Sequence, residues 1–121
     1  MPPTRHILIA DDDRNLRESL GEVLSSFGWQ TTVVGCGHQA ITELSHTRFD
    51  LLLSDVDMPD MTGFQLLGWL RDHQHHEPTL LMSARATAEL GREAQRLGAL
   101  RLLAKPMQMA ELNSIVTSIF T

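Results

Sequence analysis

Hydrophobic and polar positions along the chain follow two rhythms: short apolar runs, and longer stretches with apolar residues three and four apart. The first run, His6 to Ala10, ends in Asp11-Asp12-Asp13. Leu16, Leu20, Val23, Leu24 and Phe27 then form one helical stripe, with Gly28 as the expected residue just past its C-cap. Trp29 to Val34, rich in β-formers and bounded by Gly35 and Gly37, predicts a second strand. Ala40, Ile41 and Leu44 mark a short second helix. A third strand is expected from about Asp50 to Ser54. Its three consecutive leucines, 51 to 53, are apolar towards both faces, as in a parallel sheet covered by helices. Pro59 keeps that ladder from running much further.

Gly63, Leu66, Leu67 and Leu70 predict a third helix that fades into the polar segment Asp72 to Glu77. Thr79 to Met82, ending at Ser83, gives strand four. Leu90, Ala94 and Leu97 place a fourth helix stopped by Gly98, with Gly91 inside it costing about 1 kcal/mol relative to alanine. Leu100 to Ala104 predicts the fifth strand, and Lys105-Pro106 follows. The last helix carries Leu112, Ile115, Val116 and Ile119. Its start, Met107-Gln108-Met109, offers no good capping side chain, so its first turn is expected to fray.

Five strand–helix units imply an α/β fold: a five-stranded parallel sheet, doubly wound in the flavodoxin-like manner, with helices on both faces. A short tail, residues 1–4, would precede one domain spanning 5–121. In such a sheet every strand's carboxyl end lies on one side, where ligands bind. That side would carry Asp11 and Asp12, then Asp55 and Asp57, then Ser83, then Lys105.

Composition narrows the picture. With 121 residues, 42% of them hydrophobic, the chain can bury a real core without metal or disulfide staples. The formal charge of −5 argues against direct nucleic-acid binding by this domain, since phosphate recognition needs a basic patch. The single cysteine, Cys36, excludes an internal disulfide and suits a reducing compartment. No run reaches the roughly 18 apolar residues of a membrane span, and the start passes directly into a strand, without a signal-peptide core. A cytoplasmic location is the expectation.

Three carboxylates on one rim, Asp11, Asp12 and Asp55, would repel each other unless a cation neutralises them. Oxygen ligands beside a phosphate point to Mg²⁺, with the backbone carbonyl of Asp57 in reach of the same ion. Lys105 adds a compact positive charge that can pair with Asp55, and Ser83 adds a hydroxyl. Together these make a phosphoryl-transfer site with a carboxylate nucleophile, whose product is an aspartyl phosphate.

The chain closely resembles the receiver domains of two-component response regulators over essentially all of residues 5–121. The resemblance rests on Ile-Ala-Asp-Asp at 9–12, Ser-Asp-Val-Asp-Met-Pro-Asp-Met-Thr-Gly at 54–63, Met-Ser-Ala at 82–84 and Lys-Pro at 105–106. It implies that Asp55 is the phospho-acceptor and that Asp11 and Asp12 are the metal-binding acids, Asp12 the more direct ligand. Asp57 would give its main-chain carbonyl, Ser83 would be the switch hydroxyl, and Lys105 would contact the phosphate. It also implies a cis Lys105-Pro106 bond, which proline makes feasible. The phosphate would come from a histidine kinase or a phosphotransfer protein, and the switch would control an effector protein or domain. The readout face, also a surface for a homodimer, would be formed by the fourth helix, fifth strand and fifth helix.

Two positions depart from the family pattern. Leu102 stands where the family usually has a rotating tyrosine or phenylalanine, so the output is expected to run through the Ser83 loop and the fourth helix by repacking. Asp57 and Arg85, each two residues beyond a site residue, are expected to pair across the mouth and gate water.

Plainer roles suit other residues. Asp13 fits a helix cap and Asp60 a loop solubiliser. His73, His75 and His76 fit a polar helix end better than a metal site. The methionines at 58, 61, 82, 107 and 109 fit loop and core filling, and Trp29 and Trp69 packed aromatics. Three rival functions share part of this pattern. A haloacid-dehalogenase-type phosphatase shares Asp55-Val56-Asp57 but places that motif on its first strand and needs more chain. A flavodoxin-like FMN carrier would find its phosphate repelled by Asp11-Asp12-Asp13. A degenerate receiver serving only as a docking module is disfavoured by the intact Asp and Lys set, and kept alive by Leu102.

Overall fold

A computed structural model describes residues 4–121. The elements run β1 (His6–Ala10), α1 (Arg14–Ser26), β2 (Gln30–Val34), α2 (Gly37–His46), β3 (Leu51–Asp55), α3 (Gly63–Asp72), β4 (Thr79–Ser83), α4 (Ala88–Arg96), β5 (Arg101–Ala104) and α5 (Met109–Ile119). All five strands pair in parallel, in the order β2-β1-β3-β4-β5. The expected tail lies outside the described residues except for Thr4. Among the described residues no helix is long and apolar enough to cross a membrane.

Side chains alternate across a strand, and here they divide the interior into two cores. Leu8, Ala10, Leu52 and Leu81 face one way and pack with Ala40 and Leu44 of α2, Leu66 and Leu70 of α3, and Ala94 of α4. Ile7, Ile9, Leu51, Leu53, Leu80 and Met82 face the other way, against Leu20 and Leu24 of α1 and Leu112 and Val116 of α5. The three leucines of β3 are fully buried, as a strand covered on both faces requires.

Local signals fix the helix ends. Asp13 caps α1 by accepting from the Leu16 N–H, 3.2 Å away, as expected of it. Thr62 and Gln65 form a reciprocal capping box at α3, and Thr87 caps α4. Gly28 and Gly98, at φ of 100° and 105°, take the left-handed turn that ends α1 and α4.

Three local expectations need correcting. Phe27 does not join the buried stripe: it is the C-cap of α1, where the helical path ends, and it is 49% exposed. Leu100 likewise precedes β5 rather than entering it, and is exposed. Strand β3 runs one residue further than read, because the Val56 N–H continues the ladder to Met82 O at 2.9 Å. As expected, no side chain caps α5, and its first turn is closed by Leu112 N–H to Gln108 O at 3.0 Å. Met107 and Met109, packed on the second core, hold that turn in place.

Candidate functional site

The order β2-β1-β3-β4-β5 reverses direction between β1 and β3, and a crevice opens at such a point beyond the carboxyl ends of the strands. Asp11 follows β1, Asp55 ends β3, and register sets them side by side, since Ala10 pairs with Ser54. Ser83 ends β4 and pairs with Ala104, whose successor is Lys105. Backbone bonds stitch the rim together: Asp11 N–H to Val34 O at 3.1 Å, and Lys105 N–H to Ser83 O at 2.9 Å. The Lys105-Pro106 peptide bond is cis.

The acids and the lysine converge. Lys105 Nζ lies 2.8 Å from Asp11 Oδ2 and 3.1 Å from Asp55 Oδ2, so the ammonium is shared, with Asp11 the nearer partner. Sequence order named only Asp55, because adjacency of β1 and β3 is a property of the sheet. Asp11, Asp12 and Asp55 each offer a carboxylate oxygen within 4.8 Å of the others. Asp11 and Asp55 are buried and Asp12 is exposed. The Asp13 N–H donates to Asp11 Oδ1 at 2.9 Å, while the buried Oδ2 accepts no aligned hydrogen bond. The carboxylate oxygens of the three acids thus gather closely enough to share one cation, with the Lys105 ammonium beside them. That donor set fits a divalent cation of the Mg²⁺ kind.

Burial raises the pKa of Asp55 above the ordinary aspartate value; hydrogen bonding and charge from Lys105 pull it down, and the Asp11 charge adds to the rise. Burial works against the Lys105 ammonium, but Asp11 and then Asp55 outweigh it and hold its pKa above the usual lysine value. Asp55 is thus a carboxylate under electrostatic pressure, eased by one shared cation.

The remaining expected residues frame this cluster. The Ser83 hydroxyl is buried and accepts the Arg85 N–H at 3.0 Å. Arg85 Nη2 stands 3.4 Å from both Asp57 carboxylate oxygens, an exposed and loose pair at the mouth. Asp57 itself bridges to Thr62, which folds the β3–α3 loop back on itself. Gly63 closes that loop: its N–H reaches Val56 O at 2.7 Å, and a Cβ there would come 2.7 Å from the Asp55 carbonyl oxygen. Leu102 is half-buried on β5, packed on the core that α4 also covers.

Two residues do more than the sequence indicated. Asp60 is not a loop solubiliser: its carboxylate accepts the Gly37 N–H at 2.9 Å, the His38 N–H at 2.8 Å and contacts His38 Nδ1 at 2.5 Å. It caps α2, whose own N-cap Cys36 makes no side-chain bond. Arg17 turns back from α1 to the carbonyls of Asp11 and Asp12, 3.3 Å from each. Neither contact has a local sequence signal, since Arg17 acts on backbone carbonyls and Asp60 on residues more than twenty positions away.

Comparison with known proteins agrees with this geometry. The family model described as the response regulator receiver domain matches residues 7–117. The chain is 39% identical over 110 residues to the response regulator protein FleR of Pseudomonas aeruginosa, covering 91% of this chain but only 23% of that relative's length. It is 33% identical to sporulation initiation phosphotransferase F of Bacillus subtilis, covering 91% of this chain and 89% of the relative. Among solved structures, the receiver domain of the Francisella response regulator 1452 superposes with a TM-score of 0.92 at 27% identity over 97% of both chains. The chain therefore belongs to the receiver-domain family of two-component response regulators, the phosphorylation-dependent switches of that signalling system.

Proposed function

We propose that Asp55 is the phosphoryl acceptor and that residues 5–121 act as one receiver unit. The observation that carries this reading is the convergence of Asp11, Asp12 and Asp55 with the Lys105 ammonium at a single point. The donor is a phosphohistidine of a histidine kinase or phosphotransfer protein. An Asp55 oxygen forms the new O–P bond as the donor's P–N bond breaks, and the imidazole nitrogen keeps the electron pair. Lys105 trades part of its contact with Asp55 for a phosphoryl oxygen, and the Ser83 hydroxyl is one strand away to meet another. Mg²⁺ held by Asp11, Asp12, Asp55 and the Asp57 carbonyl would supply charge neutralisation for those oxygens. Slow hydrolysis of the acyl phosphate resets the switch.

The test uses acetyl phosphate with Mg²⁺ and intact-protein mass spectrometry. Wild type should gain one phosphoryl group and Asp55→Ala none. Failure of the wild type to gain it, or equal gain by both, would end the proposal.

Two refinements belong to the same reading. The Asp57–Arg85 pair screens the mouth, so phosphoryl lifetime should change in Asp57→Ala and Arg85→Ala, and the double variant should not be additive. Output runs through α4, which is held to the core by one buried residue, Ala94. Leu102 lies against the same core, and repacking there replaces the usual aromatic rotation. The face made by α4, β5 and α5 serves an effector, or a second copy of the chain. We assign the domain to the cytoplasm, where such a donor would be met.

A further inference from the structure

Arg17 grips the acid loop from behind. Its Nη1 donates to the carbonyls of Asp11 and Asp12, 3.3 Å from each, and it touches none of the three carboxylates. Those two carbonyls belong to the peptide planes on either side of Asp12. Fixing both planes fixes φ and ψ of Asp12, and with them the direction of its Cα–Cβ bond. The Asp13 N–H, bonded to Asp11 Oδ1 at 2.9 Å, helps hold the second of these planes, but among the described residues Arg17 alone reaches both, and the Asp12 carboxylate itself makes no hydrogen bond or ion pair.

The guanidinium also has a dedicated berth. A Cβ placed on Gly35 would come within 3.1 Å of Nη1, 3.3 Å of Cζ and 3.6 Å of Nη2. Gly35 does not have a positive φ, so its backbone does not demand glycine. The missing side chain makes room for Arg17.

From this geometry we propose that Arg17 is a positioning residue that aims the Asp12 carboxylate at the point where Asp11 and Asp55 converge. The proposal rests on the reading of those acids as the cation site. It carries a sign that separates it from plain electrostatics. A fixed positive charge near three carboxylates weakens cation binding, so its removal alone would tighten Mg²⁺. Loss of aim does the opposite, and partners outside the ligand set typically change metal affinity by about tenfold or more.

The experiment is Mg²⁺ titration of the unphosphorylated protein by calorimetry, with circular dichroism as the check on folding. Arg17→Ala should weaken Mg²⁺ about tenfold, and Arg17→Lys, which keeps the charge but not the planar group seated over Gly35, should weaken it about threefold. Gly35→Val should reproduce the loss by evicting an intact Arg17, and should add nothing in an Arg17→Ala background. Gly35→Val also serves if Arg17→Ala fails to fold. Unchanged or tighter Mg²⁺ binding in these variants overturns the proposal. Asp12→Ala separates the layers: if it leaves Mg²⁺ affinity intact the cation site itself is wrong, and if it abolishes binding while Arg17→Ala does not, only the positioning role is.

Discussion

Replacing Lys105 by methionine keeps most of the side-chain stem and removes the cation from a buried acid pair. The ammonium sits 2.8 Å from Asp11 Oδ2 and 3.1 Å from Asp55 Oδ2, and those residues are 0% and 5% exposed. At an effective dielectric near 20 each contact is worth about 5–6 kcal/mol of attraction before desolvation. Repulsion between the two carboxylates, whose oxygens lie within 4.8 Å, offsets about 3–4 kcal/mol of that. Desolvation cancels much of the remainder, and breaking a buried pair by deleting one member costs about 3–5 kcal/mol. Lys105→Met should therefore lose about 3 kcal/mol in magnesium-free buffer at about pH 8.

The pH dependence has a definite sign. Burial and Asp11 already hold the Asp55 pKa above its unfolded value, and without Lys105 it rises further. A carboxyl with a raised folded pKa binds protons better when folded, so stability falls as pH climbs from the unfolded value near 4 through the folded one. The variant's deficit should be small at about pH 4–5 and full at about pH 8. Lys105 titrates above the ordinary lysine value and stays charged across this window. Urea unfolding followed by Trp29 and Trp69 fluorescence measures the difference. Mg²⁺ at a hundred times its dissociation constant should return about 2.7 kcal/mol to whichever protein binds it only when folded. A deficit equal at both pH values, or below about 1 kcal/mol at pH 8, refutes the reasoning.

Three further outcomes follow from the loops around the cluster. Asp60→Ala should cost about 1 kcal/mol at neutral pH by uncapping α2. Because backbone N–H groups and His38 hold the Asp60 carboxyl well below the aspartate range, that deficit should persist in mild acid and fade only in strong acid, as read by urea titration. Gly63→Ala should cost about 2–3 kcal/mol and slow acetyl phosphate labelling, since its Cβ would press the Asp55 carbonyl at 2.7 Å and Leu81 Cδ2 at 3.0 Å. Thr62→Ala should lose about 1 kcal/mol with its capping box yet leave Mg²⁺ affinity unchanged in calorimetry.

The readable part of this molecule was the part in which residue type and spacing alone determine placement. Five apolar runs separated by helical stripes dictate a parallel sheet, and a parallel sheet sends every strand's last residue to one side. Asp11, Asp55, Ser83 and Lys105 thus fall together from their places in the sequence alone. What escaped depended on backbone partners or on strand order. Arg17 and Asp60 act on backbone carbonyls and N–H groups, which residue type does not mark, and Asp60 reaches α2 across more than twenty positions of chain. The nearer partner of Lys105 is Asp11 only because β1 lies beside β3. Phe27 obeyed the helical spacing and still faced solvent, because the helix had already ended.

The cost of moving each element bears on how the proposed phosphorylation would be read out. Strands β3 and β4 are buried along their whole length, so neither can shift without opening both cores. Helix α3 is locked by its capping box and four buried positions. Helix α4 keeps one buried residue, and the loop leading to it begins at Ser83, whose hydroxyl now accepts the Arg85 N–H. A phosphoryl group on Asp55 adds negative charge one strand away from that hydroxyl. Turning Ser83 towards it would release the Arg85 N–H and free the start of the loop while leaving both cores intact. The least costly response therefore travels towards α4 and the half-buried Leu102 beside it.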